Sequence, residues 1–197
     1  MKANVGMLYP VAAPVNVYTP YSGITYSAGF VVSEARGANI SWETEDGEFR
    51  GDDVLLDSAK GILGYSLDFE STGLSDTVRK KLLGEEQVGT SDVYKITGKN
   101  APDVGFGFIR RVRDDSSGSV VEKFEAWWFY RLRFAQPNEE SRTKERQIEW
   151  RVPTLNGTGS GVYLAANADD PDFAEHEDFE SLSGAKSYLQ SKAGISG

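Results

Sequence analysis

KFEAWWFYRLRF, residues 123–134, is the stretch on which the fold turns. With side chains alternating across a strand, Trp128, Tyr130, Leu132 and Phe134 fall on one face and Trp127, Phe129, Arg131 and Arg133 on the other. Both faces carry bulky apolar groups, which predicts a strand buried on two sides, within a sandwich or between a sheet and a helix. Similar alternation surrounds it. In VGFGFI, residues 104–109, Val104, Phe106 and Phe108 alternate with Gly105, Gly107 and Ile109, and the glycines predict close approach of another backbone. GYSLDFE, 64–70, sets Tyr65, Leu67 and Phe69 against Ser66, Asp68 and Glu70. ANISWETE, 38–45, sets Ala38, Ile40 and Trp42 against Asn39, Ser41, Glu43 and Glu45. Residues 24–32 form a first strand, and QIEWRV, 147–152, a late one with Ile148, Trp150 and Val152 inward. The class is therefore mainly β, in one domain over residues 1–197, since about 100 to 200 residues per domain is usual.

Two helices interrupt the strands. In LSDTVRKKLLG, 74–84, Ser75 caps, Asp76 sits in the first turn, basic residues follow and Gly84 closes. SGAKSYLQSKAG, 183–194, begins at Ser183, ends before Gly194 and aligns Ala185 with Leu189, as expected of a helix packed on a sheet. Turns are expected at 114–118, 156–161 and 169–172. DGEFRGDDVLLDSAKG, 46–61, is expected as a long loop, although Phe49, Val54, Leu55 and Leu56 need a surface to bury against.

Several function classes lose their footing in the composition. There is no cysteine, so a thiolate nucleophile is missing, and the single histidine, His176 in HEDFE, is expected as a solvated or edge residue rather than as the base of a Ser-His-Asp set. The acids Asp46, Glu48, Asp52 and Asp53 do not fall at the ligand spacing of a helix-loop-helix calcium site. Gly157, Gly159 and Gly161 are not followed by the lysine of a phosphate loop. No catalytic residue, metal ligand or cofactor is expected. The net charge is −9, with acids over bases of 10 to 4 in residues 1–73, 9 to 11 in 74–136 and 11 to 6 in 137–197. Such a chain is not expected to hold a phosphate backbone by counterion release, and it has no apolar run of about 20 residues for a bilayer.

Across its length the sequence resembles the major tail proteins of long-tailed bacteriophages, chiefly those infecting Gram-positive hosts. The likeness runs through NVGMLYPVAAPVN (4–16), ANISWETEDGEFRGDDVLLDS (38–58), GYSLDFESTGLSDTVRKKLLG (64–84), APDVGFGFIR (101–110), FEAWWFYRLRF (124–134), SRTKERQIEWRVPTLNG (141–157) and AKSYLQSKAG (185–194). The resemblance implies a tail tube β-sandwich or barrel with a flanking helix, joined six to a ring, with rings stacked into a tube for DNA. It also implies residence in the virion after assembly in the host cytoplasm, and tape-measure, tail terminator and baseplate or distal tail proteins as partners. DNA would pass without specific binding, and no membrane is involved. In that setting residues 46–61 match a loop bridging adjacent rings, with Phe49, Val54, Leu55 and Leu56 as its contacts; Val54 to Leu56 entering the domain's own core is the alternative. Glu43, Glu45, Asp68 and Glu70 are the channel-lining candidates, on a face that an ordinary outer wall would equally present. Two other functions stay open: a carbohydrate-binding or adhesion sandwich stacking sugars on Trp127 or Trp150, and the tube of a contractile injection system.

Overall fold

The structure, a computed structural model, describes residues 2–51, 54–90, 92–115, 120–137, 153–166 and 168–195, and gives the backbone alone at 2, 46–51 and 54–60. It is mainly β. At its centre β8 (Val104–Asp114) and β9 (Val121–Phe134) form an antiparallel pair with Phe106 opposite Phe129 and Phe108 opposite Trp127. The other edge of β8 pairs with β1 (Lys2–Thr19), which carries β2 (Gly23–Tyr26) and β3 (Phe30–Val31) on its far side. The other edge of β9 is shared. β11 (Ala174–Phe179) takes its first half and β10 (Thr154–Gly159) its last residues. From β10 the sheet continues to β5 (Val54–Ser71) and ends at β4 (Ala35–Gly51). Because β3 pairs with β1 and runs through residues 32–34 into β4, the two ends of the sheet approach one another and the whole curls around its apolar face. A two-stranded ribbon of β6 (Glu86–Gln87) and β7 (Tyr94–Lys95) lies apart.

Two packed layers result. Inside the curl, Tyr65, Leu67, Phe69, Phe106, Leu132 and Phe134 are buried together with one end closed by α1 (Asp76–Leu83), which contributes Val78, Leu82 and Leu83. The Ser75 hydroxyl accepts from the Val78 amide, and Gly84 ends the helix at φ 73°, both as expected. Outside it, α2 (Leu182–Ala193) lays Ala185, Leu189 and Ala193 against Val11, Ile109 and Trp128. Its cap is Ser181, two residues before the expected Ser183, because the Ser181 hydroxyl accepts from the Gly184 amide. No helix among the described residues is long and apolar enough to cross a membrane.

The strand at 123–134 is buried on both sides, as its composition demands, but its faces are divided differently. The ladder with β8 steps from Phe129 to Leu132 while β8 advances from Phe106 to Val104, so β9 bulges at Tyr130 and Arg131. Trp127, Phe129, Leu132 and Phe134 therefore share the inner side, and Ala126, Trp128 and Tyr130 turn to α2. A bulge shifts the parity of everything beyond it. The glycines of β8 make room chiefly for a side chain: a Cβ at Gly105 or Gly107 would meet the Trp128 ring at 2.4 or 2.7 Å, with the Trp127 carbonyl at 2.8 Å from Gly107.

Other expectations change. The first strand is Lys2–Thr19, in spite of Pro10 and Pro14; Pro10 falls inside a bulge between Leu8 and Val11, and Pro14 in the last pair with β8. Residues 24–32 split into β2 and β3, where Gly29 comes so close to α2 that its amide donates to the Ala193 carbonyl at 2.9 Å. The expected turn at 156–161 is mostly β10, with Gly157 and Gly159 at inward positions beneath Leu132 and Tyr65. The expected loop at 46–61 is a hairpin arm: β4 runs to Gly51 and β5 starts at Val54, paired from Asp46 opposite Lys60 to Gly51 opposite Val54. Beyond Tyr65 opposite Gly159, β10 no longer accompanies β5, so the arm leaves the sheet as two strands. The expected strand at 147–152, with Trp150, and most of the turn at 114–118 lie outside the described residues.

A polar clasp fastens α2. Glu175 on β11 accepts from the Tyr130 hydroxyl at 2.9 Å, pairs with Lys192 and also meets Tyr188. Burial alone would raise the Glu175 pKa; the bonds from Lys192, Tyr130 and Tyr188 outweigh it and hold the carboxyl below the usual range. A carboxyl lowered in the folded state stabilises above its unfolded pKa of about 4.3 and loses that contribution as pH falls through the folded value. Urea unfolding at pH 7 and at pH 3 is expected to show Glu175→Gln less stable than the unmodified protein at neutral pH. The difference should shrink on acidification, and a gap independent of pH would refute the assignment.

Candidate functional site

Opposed residues of an antiparallel ladder share a face, so the registers lay out the side of β4, β5, β10 and β9 turned away from the core. Asn39, Asp68 and Asn156 form one row across three strands. Ser41, Ser66, Thr158 and Arg133 form the next across four, and Glu70 stands between Gly37 and Thr154. Small oxygen-bearing side chains fill these rows, with Arg133 at the margin. The Asn156 amide donates to Asp68 Oδ1 at 2.8 Å. Arg133 is held by Asp103 at 2.8 Å, which also binds Arg131 at 2.7 Å, so at this margin one carboxylate is shared by two guanidinium groups.

The four acids singled out in the sequence all lie on this side, with Glu43, Glu45 and Glu70 exposed and Asp68 half-buried. They do not cluster. Glu43 opposes Gly64 and Glu45 opposes Gly61, which spreads the acids along roughly 30 Å of strand at about 3.3 Å per residue. Asp68 and Glu70 sit over the curled core, whereas Glu43 and Glu45 stand where the arm departs. The backbone of Phe49, Val54, Leu55 and Leu56 belongs to the arm; their side chains lie outside the described residues.

An unfilled backbone edge adjoins this face. Among the described residues β4 has β5 on one side over its length from Ala35 to Gly51 and ends the sheet on the other. Its opposite number in the order, β2, is four residues long.

Other places offer less to chemistry. Trp127 has its stacking neighbours within the chain: His176 at 4.5 Å and 11°, Phe129 at 6.1 Å, and the Arg110 guanidinium 4.6 Å over the ring. His176 is exposed on β11 opposite Trp127, an edge position as its surroundings in the sequence suggest. No group of three or more His, Cys, Asp or Glu is placed to hold a metal among the described residues. A shallow cavity beside the end of α1 is lined by Lys99 and Arg133, each engaged with a carboxylate, Glu86 and Asp103. What sequence reasoning missed is the contribution of β10: Thr154, Asn156 and Thr158 alternate with Leu155, Gly157 and Gly159, a period-two signal hidden by glycines at the inward positions.

No family model matches the sequence, and no curated protein matches it.

Proposed function

We propose that this chain is a structural subunit that assembles into rings and stacks them into a tube for DNA, the major tail tube protein of a long-tailed phage. The observation that carries this reading is the long edge of β4, against which no second strand is paired among the described residues. Free strand edges in monomeric proteins are kept short, charged inward, bulged or covered, because an open row of amides and carbonyls recruits another strand. A 17-residue edge strand is the wrong length for a monomer and the right kind of surface for a neighbouring copy. A head-to-tail contact that closes gives a ring, and one that does not close gives a filament; a tube uses both.

The polar rows of β4, β5 and β10 supply the rest. In a ring closed through β4 this face becomes the channel wall, with Asp68 and Glu70 along it and Glu43 and Glu45 at its arm end. Like charge and small hydrated side chains, with no open aromatic platform on them, let a duplex slide without adhering. Tape-measure, terminator and distal tail proteins are the partners such a tube requires. Purified protein is expected to form hollow tubes of uniform diameter in negative stain and a rapidly sedimenting species above a critical concentration. Persistent monomer at every concentration, salt and pH tried would overturn the reading.

A further inference from the structure

The face of β1, β8 and β9 on which α2 lies runs on past the helix. Ile109 and Ala126 are packed with α2; two and four residues further along β8 come Arg111 and Arg113 on the same face, opposite Phe124 and Glu122 of β9. Toward β1 their opposite numbers are Gly6 and Ala3, both exposed, and a Cβ at Gly6 would meet nothing within 4 Å. Val5, the extra residue of the bulge between Asn4 and Gly6, is 60% exposed, and Val120, just before β9, is 57% exposed. Together they shape two adjoining hollows. One, of about 340 Å³, is lined by Val5, Arg111, Arg113, Val120 and Glu122, and the other, of about 160 Å³, by Ala3, Arg113, Asp115 and Val120.

The two cations are incompletely used. Arg111 Nε lies 2.7 Å from Glu122 Oε1, but out of line for a hydrogen bond, and it is shut off from water. Arg113 is exposed and has no ion pair among the described residues. Beyond Ala3 and Gly6, the other edge of β1 has no strand paired to it from Lys2 to Tyr9 among the described residues. The bulge in that edge meets its own need, the Gly6 amide donating to Asn4 Oδ1 at 3.2 Å.

We infer that this shelf binds an extended acidic segment of a partner protein, with carboxylates two residues apart on Arg111 and Arg113 and apolar side chains beside them over Val5 and Val120. Side chains two apart on one face of a strand are about 6.6 to 6.8 Å apart, the spacing of Arg111 and Arg113 and equally of alternate residues in an extended segment laid alongside. Ala3 and Gly6 leave the long guanidinium side chains room to lean over β1 toward its open edge, where an added strand would lie. Charge selects an acidic segment, and the two exposed valines select a peptide over a phosphate backbone, which has nothing to set against them. A net charge of −9 also opposes a long polyanion more than a short segment with two acids.

The probe is a fluorescein-labelled peptide, Val-Thr-Glu-Thr-Glu-Thr-Val, whose valines and glutamates share one face when extended. Fluorescence polarisation with the full chain is expected to show saturable binding, weakened at least tenfold by Arg111→Glu with Arg113→Glu. The same peptide with lysines for its glutamates should prefer that variant to the unmodified protein, and a peptide with its two glutamates adjacent should bind more weakly than the alternating one. Val5→Ser, which alters no charge, should weaken binding several-fold. Circular dichroism melts show whether each variant is folded, and Arg113→Gln, at an exposed position, is the milder change, expected to weaken binding about threefold or more. No saturable binding to the unmodified protein, or equal binding to the folded arginine variants, would overturn the inference. A single-stranded oligonucleotide that binds more tightly than the peptide and is lost in the same variants would also overturn it, in favour of a phosphate site. None of these measurements requires assembly, so the tube reading stands or falls apart from them.

Discussion

Trp128→Ala is expected to cost the fold about 3 to 5 kcal/mol, the range for removing a large aromatic from a core. Trp128 is among the largest fully buried side chains and lies between β8, β9 and α2. Its volume is matched by absent ones: Gly105 and Gly107 lie beneath the ring, so closely that even a Cβ would collide with it. Tyr26 meets it edge-on at 5.3 Å, and the indole N–H points to the Tyr26 hydroxyl at 3.4 Å. That hydroxyl donates in turn to the Tyr130 carbonyl at 2.8 Å, where β9 bulges, and burial raises its pKa so that it stays protonated. With the ring gone, glycines cannot refill the space and α2 loses the floor under Leu189. Urea unfolding followed by circular dichroism measures the loss. A cost under about 1 kcal/mol would mean that α2 collapses into the space without strain.

On the tube reading proposed above, Asp68→Lys with Glu70→Lys is expected to leave tails normal in the microscope and to lower infectivity at least about tenfold, through slowed DNA ejection. Both acids lie on the polar face over the curled core, opposite Asn156 and Thr154 of β10 and away from the arm, so the apolar interior is not touched. Losing the Asn156 bond to Asp68 costs roughly 0.5 to 1.5 kcal/mol, small for a domain of this size. The gain in phosphate attraction is not small. In a ring closed as proposed, each copy would turn two cations toward the channel in place of two anions, and phosphate contacts multiply in affinity. Asp68→Asn with Glu70→Gln is the control that removes charge without adding adhesion. Normal ejection from the lysine variant would place this face on the outer wall.

The parts of the fold legible in the sequence are those where alternation runs unbroken. Tyr65, Leu67 and Phe69 are buried, and Asp68 and Glu70 point away, as their spacing says. Both helices are marked by caps that the structure uses, Ser75 with Gly84 and Gly194 at the end of α2. Illegibility has two physical sources. Bulges at Tyr130 and Arg131, at Val5 and at Leu63 change parity, and no local composition announces them. Glycine is the other. At Gly157 and Gly159 it is the inward residue of a strand because Tyr65 and Leu132 occupy its side-chain space, a fact held by partners some 25 to 95 residues away. The arm is illegible for a related reason: DGEFRGDDVLLDSAKG, 46–61, carries no sustained period-two alternation of apolar and polar residues. The acid face was visible as four residues, but the rows of Ser41, Ser66 and Thr158 that complete it exist only through pairing.

The place of β1 in the sheet sets the order in which the molecule is built. Leu8 pairs with Ile109 and Ala12 with Phe106, so β1 waits about 100 residues of synthesis for its partner. β10 likewise pairs with β5 across about 90 residues, and the layer of α2 is made last. The hairpins β4–β5 and β8–β9 form early, but β1 and α2 are needed to complete the layer around Trp128. Such non-local topology folds slowly, in milliseconds to seconds. A nascent chain thus closes this layer only once β1, β8, β9 and α2 have all been made.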